Sequence, residues 1–199
     1  MKTVCIKEIE EYLKTVLSEE RFLHTLGVKE EAIELAKRFN ADEKKAELAG
    51  LLHDCAKCMP NDELKKFIKE NIKDINENEM KNYKTLHAPV GAHMACFKFN
   101  IEDSDIISAI RWHTLGRVNM TLLEKIVFLA DKIEKNTRDL NYRNEILKIM
   151  DENEGENGLN LALLRCFQET IKSLANRELY ICQTTIDVYN WLLELTKGF

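Results

Sequence analysis

The chain has 199 residues, 45% of them hydrophobic and 32% charged, and a formal net charge of −5. Its length suits one domain with a substantial core, and the presence of only 7 Gly and 2 Pro argues against the many turns of an all-β fold. The sequence has no basic stripe and no apolar stretch of the ~20 residues that a membrane span needs, which excludes polymeric nucleic acid and membranes as expected partners.

The first part of the chain shows the apolar spacing of three amphipathic helices. Ser18 and Asp42 precede the second and third of them and are suited to cap them. His24 lies on the apolar stripe of the second helix, and the adjacent pair His53-Asp54 lies on the third, in a run that is otherwise small and apolar. The three helices are predicted over 5–17, 21–39 and 43–57.

The middle of the chain combines short helices with a polar segment. After a short amphipathic helix, residues 70–85 are polar and weakly periodic, which predicts a surface excursion beside the site. His87 stands just before Pro89, and proline suits the first turn of a helix. Ser104 is expected to start a further helix that places His113 on its apolar face.

The last part of the chain predicts three more helices and no strand. Thr121 and Glu124 form a capping box for a strongly apolar helix, and Asp131 lies deep within it. The acidic residues 151–158 are predicted to form a loop. The final helix could pack within the chain or against a second copy in a homodimer. The two helices after the loop are predicted over about 159–175 and 184–197.

The pair His53-Asp54 is explained best if both side chains converge on one metal ion. A single core-facing histidine is more often a satisfied core residue, but a buried, unpaired aspartate is costly. The chain has five histidines, and several of them, together with aspartates, fall at core-facing positions. This combination therefore favours a metal site. Imidazole and carboxylate together suit Fe, Mn, Co or Zn better than Mg or Ca. The other candidates for this site are His24, His87, His113 and Asp131.

The same residues suggest phosphate chemistry. His24, His53, Asp54 and Asp131 suffice for one metal with positions open to water, and Asp54 could bridge to a second metal near His87 and His113. Water on such a metal has a pKa near ~7 and supplies hydroxide at neutral pH. Phosphorus beside two cations is the natural electrophile for this hydroxide. Candidate side chains to neutralise phosphate oxygens are Lys57, Arg111, Arg117, Lys132 and Arg138.

Several residues near this pattern have two interpretations. Lys57 either contacts phosphate, which is favoured, or is a solvated surface lysine. Thr25 and Thr114 each follow a site histidine, and their hydroxyls either meet phosphate or cap local backbone; Thr114 is the favoured phosphate contact. His93 has no matching context and is predicted to be structural.

The cysteines predict a reducing compartment. The six cysteines have no framework spacing, and the N-terminus lacks the apolar core of a signal peptide, so a cytoplasmic location is expected. Cys55 and Cys58 form a C-x-x-C pair that is either redox-active or incidental. Without a βαβ pattern around it, Cys55 is expected to pack behind the His-Asp pair.

These segments resemble the HD-domain metal-dependent phosphohydrolases, and most closely a branch of YqeK-like bacterial proteins. The resemblance extends in order over nearly the whole chain and is far more specific than a bare His-Asp pair. It rests on RFLHTLGV (21–28), AGLLHDCAK (49–57), LHAPVGA (86–92), AIRWHTLGR (109–117), MTLLEKIVFLADKIE (120–134) and TTIDVYNWL (184–192).

The resemblance implies a single all-α HD domain over 1–199, with a metal-site core at about 18–140. It implies that diadenosine tetraphosphate is cut into two ADP, with iron, in one or two ions, on His24, His53, Asp54 and Asp131. It also implies nucleotide phosphate contacts from Lys57, His87, His113 and Thr114. His87 or His113 is then a candidate to protonate the leaving oxygen.

The chain departs from the family pattern after Asp131. Related sequences read ADYIEPxR, whereas this one reads ADKIEKNTRD, so the arginine falls one position later, at Arg138. Two other functions remain open at this point. One is an HD phosphohydrolase that acts on another nucleotide, such as a deoxynucleotide or an alarmone, and the other is a non-catalytic nucleotide-sensing module.

Overall fold

The structure, a computed structural model, describes residues 5–75 and 77–198. This part of the chain is helical and contains no strand, so the predicted all-α class is confirmed. None of its helices is long and apolar enough to cross a bilayer. In chain order they are α1 (Ile6–Val16), α2 (Glu19–Arg38), α3 (Glu43–Leu52), α4 (Asn61–Asn71), α5 (Glu77–Met80), a short 3-10 helix (Tyr83–Thr85), α6 (His87–Phe97), α7 (Ser104–Trp112), α8 (Leu122–Ile133), α9 (Leu140–Asp151), α10 (Gly155–Asn176) and α11 (Gln183–Lys197).

Side-chain caps define where the helices of the site begin. Ser18 caps α2 and Asp42 caps α3, each by accepting hydrogen bonds from backbone N–H groups of the first turn. The capping box that starts with Thr121 is present at α8. These predicted starts are confirmed. α7 begins at Ser104 as expected, although its cap is the preceding residue, Asp103.

α3 ends five residues before the limit that the sequence predicts. It ends at Leu52, and the chain continues through tight turns, such as the one closed by the Lys57 N–H and the Asp54 carbonyl at 2.9 Å. His53 donates from its ring Nδ1 to the carbonyl of Gly50 at 2.7 Å, one of the acceptors that a helix end leaves without a backbone partner. The His-Asp pair therefore lies on a turn that caps α3, not on a helix face.

The sequence analysis missed α9 and, within the segment predicted as a polar excursion, the short α5. Asp139 caps the start of α9 by accepting from the Tyr142 N–H at 2.8 Å, and Ile146 and Met150, four residues apart, are its buried positions. Because α10 begins at Gly155, whose φ of +58° permits a sharp reversal, the predicted acidic loop is shortened to three residues, 152–154.

α8 lies at the centre of the hydrophobic core. Ten of its twelve residues are buried, and it packs against α2, α3, α7, α9 and α10. Phe128 of α8 stacks on Phe167 of α10 with ring centroids 4.7 Å apart. This enclosure fixes the last turn of α8, and with it Asp131. The C-terminal helix packs within the chain, because Val188 and Leu192 of α11 are buried in the same core.

A second, smaller apolar cluster supports the segment that was predicted as a polar excursion. Leu64, Ile68, Leu86 and Val90 join α4 to α6, and residues 81–85 pass beside the predicted site. The predicted position beside the site is confirmed for residues 81–85, whereas residues 70 and 71 belong to α4 and residue 76 lies outside the described residues.

Candidate metal centre

Four histidines and two aspartates from five separate parts of the fold meet at one point. α2, α6 and α8 each contribute one residue, the turn after α3 contributes two, and the residue after α7 contributes one. All six side chains belong to residues that are at most 6% exposed. They are His24, His53, Asp54, His87, His113 and Asp131.

Local hydrogen bonds orient three of the imidazole rings. His53 and His113 each follow the last residue of a helix, and each directs Nδ1 at the carbonyl three residues earlier, at 2.7 and 2.8 Å. His24 directs Nδ1 at the carboxylate of Glu134, at 3.1 Å. Because a carbonyl only accepts, Nδ1 carries the proton in the rings of His53 and His113. Nε2 of these two rings therefore presents a lone pair to the cluster.

Asp54 divides the cluster into two halves. Its Oδ2 faces the first half, formed by His24, His53 and Asp131, in which His24 Nε2 lies 3.0 Å from Asp131 Oδ1 and His53 Nε2 lies 3.5 Å from Asp54 Oδ2. Its Oδ1 faces the second half, formed by His87 and His113, whose Nε2 atoms lie 2.9 and 3.5 Å away. One carboxylate thus stands between two groups of nitrogen donors.

Two atoms in this cluster are buried without a hydrogen-bond partner among the described residues. They are Nε2 of His53 and Oδ1 of Asp54, whose 2.9 Å approach to His87 Nε2 does not have the geometry of a hydrogen bond. Leaving a buried polar atom unsatisfied costs about 1–3 kcal/mol, and here two such atoms point to the same small volume. Two groups of three residues, His24 with His53 and Asp131 and His53 with Asp54 and His113, each have nitrogen and oxygen donors within 4.8 Å of one another. Such donors fit a divalent transition metal.

The protonation states also suit metal binding. Burial lowers the pKa of His113 to about 4 and lowers the pKa of His87 as well, so both rings are neutral at pH 7. A neutral imidazole whose Nδ1–H is already donated to Ile110 has no proton to give, which argues against the leaving-group acid role predicted for His113.

A cavity of about 480 Å³ opens beside the two aspartates. Seven cationic side chains line it, against the two carboxylates of Asp54 and Asp131, although the chain as a whole carries a net charge of −5. This concentration of positive charge favours an anionic ligand. Its cations are Arg21, Lys57, Lys81, Lys84, Lys132, Arg138 and Arg177.

The predicted phosphate contacts Lys57, Thr114 and Arg138 all line this cavity. Lys57 Nζ lies 3.4 Å from Nε2 of His87, and burial lowers its pKa. Thr114 has a buried Oγ1 without a hydrogen-bond partner in the described chain. Arg138 reaches the cavity despite its shifted position, because its Nε and Nη2 donate to the backbone carbonyl and Oδ1 of Asp131, each at 2.7 Å.

Two of the predicted cations do not reach the cavity. Arg111 pairs with Glu79 at 2.5 Å and Arg117 with Glu124 at 2.8 Å, and neither lines the cavity. Both arginines are close to site histidines in sequence, but their side chains are directed away from the cavity, at the carboxylates of Glu79 and Glu124. Thr25 donates to the backbone carbonyl of Arg21 at 2.9 Å, which is the capping alternative.

The remaining histidine and the C-x-x-C pair lie outside this chemistry. His93 stacks on Phe97 with centroids 4.3 Å apart. Cys55 is buried and directs its thiol at the carbonyl of Gly91, whereas Cys58 is exposed. Burial raises the pKa of the Cys55 thiol to about 12, so it is protonated and unreactive at neutral pH.

Sequence reasoning missed Arg21 and Glu134. Arg21 donates to Oδ2 of Asp54 at 3.0 Å. Its spacing of three residues from His24 put it on the same helix face, a signal that was available. Glu134 is fully buried and accepts from His24 and from the backbone N–H of Asn136 and of Thr137.

Glu134 is expected to position His24 for metal binding. A Glu134→Gln substitution removes the charge that holds the His24 ring in its tautomer, and loss of such a supporting group weakens metal affinity by about 10–100-fold. Competition with a coloured chelator measures this affinity directly. Gly27→Ala should act in the same direction, because its Cβ would lie 2.2 Å from Oε2 of Glu134.

The matched control is Glu124→Gln, which changes another fully buried carboxylate of the α8 region that is bonded to Ser108 and Arg117. It should lower stability without changing metal affinity. Equal affinities for the Glu134→Gln and wild-type proteins would contradict the positioning role.

Comparisons with known proteins agree with this geometry. Residues 21–136 match the model of the HD domain family. The chain is 40% identical over 181 residues to a protein of Bacillus subtilis (strain 168) named bis(5'-nucleosyl)-tetraphosphatase, symmetrical, covering 91% of this chain and 94% of that one. It is 33% identical to a protein of Staphylococcus aureus with the same name, covering 94% and 93%.

A solved structure has the same fold. It is a predicted HD superfamily hydrolase involved in NAD metabolism from Clostridium acetobutylicum, similar with a TM-score of 0.89 and 36% identity over 96% of this chain and 98% of that one. The family match includes His24, His53, Asp54 and Asp131, the residues that the fold brings together. The chain therefore belongs to the HD-domain family, in the branch that contains these symmetrical tetraphosphatases.

Proposed function

We propose that this protein is a metal-dependent hydrolase that cuts symmetrical dinucleoside tetraphosphates, with diadenosine tetraphosphate yielding two ADP. The observation that carries the proposal is the position of Asp54 between two groups of imidazole donors, at the end of a strongly cationic cavity. The names of the relatives support the substrate. A tetraphosphate chain carries a negative charge on each phosphate. Its charge is therefore opposite in sign to that of the seven cations that line the cavity.

We propose that His24, His53, Asp54 and Asp131 hold one metal ion, and that Asp54 shares a second ion with His87 and His113. The alternative for the last two residues was direct contact with phosphate. A phosphate oxygen needs a hydrogen-bond donor, whereas Nε2 of His113 presents a lone pair because its Nδ1–H is donated to the Ile110 carbonyl. Iron is the proposed metal, and Mn, Co and Zn suit the same donors.

A metal ion held by these residues would supply Lewis acidity and would acidify water. The cations beside it complete the electrostatic environment. Arg21 contacts Asp54, and Lys132 and Arg138 contact Asp131, so all three lie within reach of a phosphate placed against these carboxylates. Their charges stabilise the charge that builds on phosphate oxygens in the transition state.

Lys57 and Thr114 are proposed to position the scissile phosphate. Lys57 Nζ lies near both His87 Nε2 and Asp54 Oδ1, at 3.4 and 3.9 Å, and the Thr114 hydroxyl has no competing partner in the described residues. Burial lowers the pKa of Lys57, which makes its ammonium group a stronger proton donor toward the departing phosphate oxygen.

Anaerobic purification, elemental analysis and chromatography of the products test this function. Protein loaded with iron is expected to convert diadenosine tetraphosphate into ADP as the sole nucleotide product, because the cut lies at the centre of a symmetrical chain. AMP with ATP would contradict symmetrical cleavage. Turnover of another nucleotide alone would favour the broader phosphohydrolase alternative, and tight binding without turnover would favour a sensing module.

A further inference from the structure

We propose that the part of the cavity lined by Tyr83 and Tyr180 is a nucleoside subsite, in which these two rings stack on the base of a bound nucleotide. Residues 81–85 and the connection between α10 and α11 form this part. The inference rests on the proposed function, since it names where one nucleoside of the dinucleotide would lie. It concerns residues that are separate from the metal centre.

The exposed aromatic side chains are the first observation. Tyr83 is 49% exposed, Tyr180 is 44% exposed and the neighbouring Leu179 is 39% exposed. All three line the cavity that contains Asp54 and Asp131. Single exposed apolar residues are common on protein surfaces, but two exposed tyrosines and a leucine that line the same cavity offer apolar surface that suits a planar ring.

The cations that line the cavity differ in whether they are paired with a carboxylate. Arg21, Lys57, Lys132 and Arg138 each lie within 4.0 Å of Asp54 or Asp131. Three further cations of the cavity, Lys81, Lys84 and Arg177, make no ion pair within the described residues. Cations without carboxylate partners in the same cavity as two exposed aromatic rings suit a ligand that carries both phosphates and a base.

Tyr180 is held in place before any ligand binds. Its hydroxyl donates to Oδ1 of Asn78 at 3.0 Å, and Lys81 Nζ lies 5.4 Å from the ring centroid. These contacts connect the turn after α10 to the segment before the 3-10 helix. A ring that is already fixed loses little freedom when a base stacks on it, which favours binding. Since every base has a π face, stacking should accept adenine and guanine alike.

Calorimetric titration of metal-loaded protein with ADP and with inorganic pyrophosphate tests the subsite. Tyr180→Ala and Tyr83→Ala should each raise the Kd for ADP by about 10-fold or more, because the base loses its stacking partner. Neither should change the Kd for pyrophosphate, which has no base. Tyr180→Phe keeps the ring and should restore most of the ADP affinity.

Phe97→Ala is the matched control, because Phe97 is an exposed aromatic residue outside the cavity, at 71% exposure, and ADP should bind this variant as it binds the wild type. Wild-type ADP affinity in folded Tyr180→Ala and Tyr83→Ala proteins would overturn the subsite, even if diadenosine tetraphosphate is hydrolysed. Conversely, a selective loss of ADP affinity would support the subsite even if no hydrolysis were detected, so the two proposals can fail separately.

Discussion

Asp54→Ala is expected to remove bound metal and to lower kcat/KM for diadenosine tetraphosphate by at least about 1,000-fold. The reason is that both carboxylate oxygens face nitrogen donors, Oδ2 facing His24 and His53 and Oδ1 facing His87 and His113. No other carboxylate of the cluster stands between the two groups. Elemental analysis and a product assay on the same preparation measure the two effects together.

Helical content should be retained in this variant, because Asp54 lies on a turn after α3. Circular dichroism therefore separates loss of metal from loss of fold. Cys58→Ala, at an exposed position on the same turn, should keep both metal and activity. Asp54→Asn preserves the shape but offers only one oxygen ligand, so it should bind fewer ions per chain than the wild type. A metal-loaded, active Asp54→Ala protein would refute the proposed role.

The metal-free protein should lose about 3 kcal/mol of unfolding free energy between pH 6.5 and pH 4 through His113 alone. Burial lowers the pKa of this ring from 6.5 to about 4, and one pKa unit corresponds to about 1.4 kcal/mol. In this window the unfolded chain binds a proton that the folded chain does not bind. Stability is therefore complete above pH 6.5 and falls as the pH decreases. The lowered pKa of His87 acts in the same direction.

Urea denaturation of chelator-treated protein at several pH values measures this slope. His113→Asn keeps a donor for the Ile110 carbonyl but has no group that titrates in this window, so its stability should depend less on pH. A slope equal to that of the wild type would show that His113 does not titrate as the structure requires. Metal-loaded protein should show a steeper dependence, since protons then compete with metal for the ligands.

The donor residues could be predicted because their chemistry conflicts with their surroundings. His24 shares a stripe with Val28 and Leu35, and Asp131 lies within an apolar helix. Burying such groups without a partner is unfavourable, so their types and positions alone indicate a shared ligand. The capping residues Ser18, Asp42 and Thr121 were predictable for a similar reason, because capping depends on a few neighbouring residues.

Other features, such as helix limits and the partners of charged side chains, depend on contacts that the periodicity of apolar residues does not predict. α9 was missed although Asp139 caps it, because its buried positions Ile146 and Met150 lie among polar residues. α3 was predicted too long because the His53 ring, directed at the Gly50 carbonyl, ends a helix whose apolar pattern continues. Arg111 and Arg117 were predicted near phosphate but pair with Glu79 and Glu124.

By itself, the sequence determined the all-α class, most helix starts and the six residues that form the cluster, because burial and capping act through residue type and short spacing. The tertiary structure alone decided how these residues are used. It placed Asp54 between two donor groups, brought Glu134 to His24 across 110 residues of chain, and collected the unpaired cations around Tyr83 and Tyr180. Hydrogen bonds and metal geometry act over about 3 Å, and distances of that size between remote residues are set only when the helices pack.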